Sequence, residues 1–118
     1  MRLVDGGVRN NIPADVLRKN GCDYVVTIDC NCGRGGGTKS TKFTTQLTTI
    51  FGIMMVNNSR CGLVNSDVVI CPKLSQYKFL KLIEKDAIIQ EGYDSVMRMR
   101  EELDKLFSGE LKKKTLQD

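Results

Sequence analysis

The sequence predicts an α/β fold, a mostly parallel sheet with helices packed on its faces. Two short segments rich in β-branched residues, 23–30 and 67–71, alternate with stretches of helical period. The connections between them are long enough to hold helical crossovers, as parallel pairing requires. Residues 23–30 (D-Y-V-V-T-I-D-C) are also nearly continuous in their apolar run, the pattern of a strand buried on both faces.

Each element follows in order. Residues 2–5 read as the tail of a buried strand that ends in the turn Asp5-Gly6-Gly7. Asn10, Asn11 and Pro13 mark a helix start, with Asn to cap and Pro presetting φ. That helix covers residues 14–20 and stops at Gly21. After the strand at 23–30, residues 31–41 form a loop rich in Gly, Lys, Ser and Thr, expected to be mobile. Phe43, Leu47, Ile50, Phe51 and Met54 keep a 3.6-residue period, so an amphipathic helix runs on toward Cys61. Its stripe, with the Met54-Met55 pair, is expected to pack in the core, the other reading being a lipid-binding groove. Residues 67–71 (D-V-V-I-C) make a third short strand, stopped by Pro72. A final helix over residues 84–107 carries Ile88, Val96, Met99, Leu103 and Leu106 on one face and ends near Gly109, before a basic tail that frays. Three strands make a narrow sheet with at least one bare edge.

Composition narrows the function. The 118 residues carry a net charge of +4, from 18 basic and 14 acidic side chains. Much of that excess is local, in Lys112, Lys113 and Lys114 and in Arg34, Lys39 and Lys42, without the aromatic interleaving that stacks on bases. No nucleic-acid partner is expected. Five cysteines and no histidine indicate reduced thiols and a cytoplasmic home. Cys30 and Cys32 form a lone C-x-C without a second pair in zinc spacing, so no metal site and no cofactor are expected. No apolar run reaches 18 residues, which leaves at most a peripheral membrane contact.

Two motifs fail on spacing. The stretch from Gly33 to Ser40 resembles a phosphate loop, but Thr38 stands where the Walker pattern needs Gly before Lys-Ser, and G-x-G-x-x-G would need a glycine at position 38. None of Ser40, Ser59, Ser66, Ser75, Ser95 and Ser108 stands in G-x-S-x-G.

Four blocks, residues 3–13, 23–29, 66–77 and 87–93, with Asp5-Gly6-Gly7 and Asn10-Asn11-Ile12-Pro13 in the first, resemble in order, over roughly residues 2–100, the patatin-like phospholipase family. Leu3-Val4-Asp5-Gly6-Gly7-Val8 with Asn10-Asn11-Ile12-Pro13 resembles its D-G-G-x-x-N-N-x-P block, and Asp23-Tyr24-Val25-Val26-Thr27-Ile28-Asp29 the strand after it. Ser66-Asp67-Val68-Val69-Ile70 with Pro72, Leu74 and Tyr77 is similar to a third block, and Ala87-Ile88-Ile89-Gln90-Glu91-Gly92-Tyr93 to a fourth. The resemblance implies that residues 1–109 are the C-terminal portion of a three-layer α/β/α lipid acyl hydrolase domain, with 110–118 a basic tail. In that family a serine in G-x-S-x-G attacks an acyl ester and the aspartate of D-G-G is its base, without a histidine. By that likeness Asp5 is the catalytic base, and Gly6 and Gly7 shape its turn, for which positive φ and close approach by the serine loop are the expected reasons. On local sequence alone Asp5 also fits an ordinary turn aspartate before two glycines. The chain departs from the family at Lys73, where an acidic residue is common, and in its own Gly-rich loop. The nucleophile and oxyanion loop would lie upstream of Met1, so the isolated chain is expected to be inactive. The partners implied are a lipid or other acyl ester and the N-terminal half of the domain. An assembly module, a homo-oligomer included, is the alternative.

Overall fold

A computed structural model describes residues 3–33, 41–77 and 84–111. A 3-10 turn, Gly6–Val8, leads to helix α1, Ala14–Lys19, strand β1, Val26–Ile28, helix α2, Phe43–Val64, and strand β2, Val68–Ile70. Helices α3, Lys85–Arg98, and α4, Arg100–Phe107, complete the order. The expectations for residues 1–2, for loop residues 34–40 and for the tail from 112 fall outside the described residues.

The alternation of helix and strand is as expected, and the sheet is parallel. β1 pairs with β2 in the register Val26↔Val68, Thr27↔Val69, Ile28↔Ile70. Directly opposed residues share a face. Val68 and Ile70 are buried with Leu106, and Val96, Met99, Leu103 and Leu111 pack on them, so α3 and α4 cover β2 on that face. The opposite face presents Val25, which clusters with Ile12, Ala14 and Leu63 from the side of α1 and α2.

Four expectations change. Residues 3–5 form no strand; Leu3 and Val4 lie exposed, with no neighbouring strand among the described residues to pair with. β1 is not buried on both faces, because α3 and α4 reach β2 but leave Val26 and Ile28 exposed. The terminal helix breaks at Met99, where an i→i+3 bond from its N–H to the Val96 carbonyl (3.0 Å) tightens the backbone before α4 resumes. The stripe at the start of α2 does not enter a core: Phe43, Leu47, Ile50 and Phe51 are all exposed.

Local signals explain the helix ends. α1 stops before Gly21, whose φ of 87° continues no right-handed helix. Gly109, with φ 78°, does the same for α4, and the N–H groups of Glu110 and Leu111 turn back to the Lys105 carbonyl. The expected asparagine cap of α1 is absent. Pro13 occupies the cap position, while Asn10 donates to Asp15 Oδ1 (2.9 Å) and Asn11 to Ser59 Oγ (2.8 Å).

Candidate functional site

Asp5 caps the 3-10 turn, accepting at Oδ1 a hydrogen bond from the Gly7 amide (2.8 Å). The short loop closed by that bond holds the carboxylate over its own turn while leaving the residue exposed. Asp5, Gly6 and Gly7 lie in the expected turn, which is a 3-10 turn. Neither glycine has a positive φ, since a 3-10 turn needs none. Gly6 stands in open space, whereas a Cβ on Gly7 would collide with the Met55 methyl and press on Asn11 Oδ1. Gly7 is favoured by the close approach of the Met55 side chain from α2, and Gly6 by nothing the structure shows.

The turn is tied to α2 at three further points. Asn58 Nδ2 donates to the Val8 carbonyl (2.5 Å), and Asn11 bonds Ser59, whose hydroxyl donates to the Met55 carbonyl (2.9 Å). Lower down, the bare Cα of Gly62 lies against Ile12, where any Cβ would overlap the Ile12 carbonyl. Asn11 of the N-N-x-P segment and the Val8 carbonyl thus dock the Asp5 turn on a helix 48 to 50 residues farther along the chain. Among the described residues no serine hydroxyl bonds Asp5, and the buried Oδ1 of Asn10 has no hydrogen-bond donor.

Behind this turn lies a polar latch. Arg18 reaches Asp67 Oδ2 (2.5 Å), with side chains only 4% and 3% exposed. The same guanidinium donates to the carbonyls of Asn65 (3.0 Å) and Asp23 (2.7 Å), and Asp67 Oδ2 also accepts from the Val25 amide (2.7 Å). A buried ion pair holds only when its remaining donors and acceptors are met, and here one arginine joins α1, the approach to β1 and the start of β2. Nearby, Ser66 donates to the Gly62 carbonyl (2.8 Å), so its bond with the Thr27 hydroxyl (2.6 Å) takes the threonine proton.

A second group of reactive side chains sits past the carboxyl ends of both strands. One ligand atom each from Asp29, Cys32 and Cys71 lies within 4.8 Å of the other two. Asp29 follows β1 and donates its N–H to the Ile70 carbonyl (2.9 Å), while its Oδ1 accepts from the Asn31 amide (2.9 Å). Cys71 is exposed as a residue, but its sulfur faces this group. Desolvation on that side, then the hydrogen bond with Cys32 and the charges of Cys32 and Asp29, push the thiol up to about 12. Without a cation it stays protonated and is no nucleophile.

The chain matches no family model, no curated protein and no solved structure. No described helix is long and apolar enough to cross a membrane. Two features escape a sequence reading. The Arg18–Asp67 latch joins residues 49 apart with no motif to announce it. The Asp29–Cys32–Cys71 group left a faint signal: both strands end in a polar or thiol residue, and only parallel pairing sets those ends side by side.

Proposed function

We propose that this chain supplies the catalytic base of a patatin-like lipid acyl hydrolase, with Asp5 as that base and the nucleophilic serine outside these 118 residues. The observation that carries the reading is the Asp5 turn. An exposed carboxylate is fixed at one oxygen by the Gly7 amide, on a turn bonded to α2, in the sequence block that resembles the family's D-G-G motif. Its other oxygen would take the serine proton as the hydroxyl attacks the ester carbonyl, and return it to the leaving alkoxide. The oxyanion donors would also come from outside this chain.

Further support lies in what is uncovered. Leu3, Val4, Val26 and Ile28, together with the start of α2, expose apolar side chains that the remainder of a three-layer domain would bury. Asn10 Oδ1 would gain its donor from the same source. The substrate class this implies is a lipid or other acyl ester, met at most peripherally on a membrane.

The test is ester hydrolysis by the complete product of the reading frame, on a short-chain aryl ester and a phospholipid. Asp5→Asn is expected to lower the rate by about 10²- to 10⁴-fold with the fold retained, and the 118 residues alone should be inactive. Activity that survives Asp5→Asn, or a reading frame without G-x-S-x-G, would sink the proposal. The same uncovered faces favour a second reading, a non-catalytic module that self-associates. A chain that sediments as a monomer would remove it.

A further inference from the structure

We propose that Asp29, Cys32 and Cys71 form a binding site for a thiophilic divalent cation of the Zn²⁺ class, separate from Asp5. Two segments, the turn after β1 and the end of β2, converge there. Asp29 is the first residue past β1, Cys32 closes the turn after it, and Cys71 is the first residue past β2. The register that pairs Ile28 with Ile70 continues to Asp29 and Cys71, setting carboxylate and thiol on one face at the same level.

The carboxylate makes the case beyond proximity. Asp29 is 8% exposed and has no ion-pair partner among the described residues. A buried charge is normally paired or bound to a metal. Here its nearest reactive neighbours are two sulfur atoms, which repel it if ionised and do little for it if not. A divalent cation reverses that balance, since it attracts the carboxylate and both thiolates at once and leaves the site with a single net negative charge. Two sulfur donors and one oxygen favour Zn²⁺ or Co²⁺ over Mg²⁺ or Ca²⁺, which take oxygen ligands. The chain has no histidine, so a zinc site in it must be built from such donors.

The geometry is close to what a tetrahedral ion needs. Metal–sulfur bonds of about 2.3 Å set sulfur atoms roughly 3.8 Å apart. Separations within 4.8 Å close to that by rotation of the cysteine side chains. The Asn31 amide on Asp29 Oδ1 is the outer bond that orients a ligating carboxylate. Three protein ligands leave one position for water or a substrate group, at the strand ends where α/β folds collect ligands.

The experiment is titration of the fully reduced 118-residue protein with Co²⁺, under a phosphine reductant. One equivalent should bind, giving thiolate-to-cobalt charge-transfer bands in the near ultraviolet and tetrahedral bands in the visible, both abolished by one equivalent of Zn²⁺. Cys32→Ser and Cys71→Ser should each weaken binding about tenfold or more. Cys22→Ser and Cys61→Ser should change nothing, and Asp29→Asn should weaken binding while keeping the sulfur bands. Absence of those bands in the wild-type protein overturns the site, whatever the variants do. So do bands that persist unchanged in Cys71→Ser. A reduced protein that binds no cobalt, but on air oxidation yields a Cys32–Cys71 disulfide on peptide mapping, overturns it in favour of a redox pair.

Discussion

The two halves of α2 are one helix with two surroundings. Its C-terminal half is held by Asn58 on the Val8 carbonyl, by Ser59 with Asn11, by Gly62 against Ile12, and by Arg18 on the Asn65 carbonyl just past the helix. Its N-terminal half presents Phe43 at 72% and Ile50 at 62% exposure. The difference lies in residue type more than in hydrophobicity. At its contacts the held half uses Asn58, Ser59 and Gly62, which admit another backbone, whereas the other half turns Phe43, Leu47 and Ile50 outward with nothing among the described residues to cover them. Close docking here is achieved by glycine and hydrogen bonds. Apolar periodicity alone marks a face without saying what meets it.

The most direct way to break the held half is to remove its arginine. Arg18→Ala takes the guanidinium away from a buried carboxylate and should cost about 3–5 kcal/mol in unfolding free energy. Arg18→Lys should recover only part of that, because one ammonium cannot serve both the carboxylate and the diverging carbonyls. Gly62→Ala comes next, at about 3 kcal/mol, since its methyl must displace the Ile12 backbone. Denaturant titration of each variant checks both. A Gly62→Ala loss below about 1 kcal/mol would show that α2 slides freely past Ile12.

Smaller effects sharpen the contrast. Gly7→Ala meets the flexible end of Met55, so about 1 kcal/mol is expected, and Gly6→Ala, with open space around it, should be near neutral. On the uncovered half, Ile50→Ser should shift stability by no more than about 0.5 kcal/mol, as surface changes do, while reducing any self-association seen by sedimentation. A loss of more than about 1 kcal/mol would mean that Ile50 is packed in solution, and the two halves would no longer differ.

Much of this was legible in the residues. β-branched runs located both strands, and Gly21 and Gly109 ended their helices as their positive φ values require. The turn at Asp5-Gly6-Gly7 is legible from its residue types, and it is a 3-10 turn. What escaped depends on pairing at a distance. Val26 and Ile28 look as buried in sequence as Val68 and Ile70, and only the reach of α3 and α4 separates them. Positive φ and a close approach by a serine loop are the reasons the sequence suggests for Gly7, yet the close neighbour is Met55, 48 residues on, which no local pattern encodes. The thiols of Cys32 and Cys71 likewise meet only because two parallel strands end level.

The smallest expected effect concerns an ion pair that contrasts with the buried one. Glu91 accepts from the Lys73 amide (2.8 Å) and from Arg98 (2.6 Å), joining the segment after β2 to α3 with its partner arginine 45% exposed. The Lys73 amide first, and Arg98 second, hold its carboxyl below the ordinary value of 4.5. A carboxylate whose folded pKa is depressed contributes stability that is present above the unfolded value and is lost as pH falls through the folded one. Glu91→Gln should therefore lower the denaturation midpoint slightly near neutrality, and the difference from wild type should vanish in acid below the carboxylate range. Solvent screening keeps such a pair weak, so added salt should shrink the gap as well. The Arg18→Ala deficit should persist in salt, because water and ions do not reach Asp67. If salt removed both differences alike, burial would not be what makes the clamp on α2 strong.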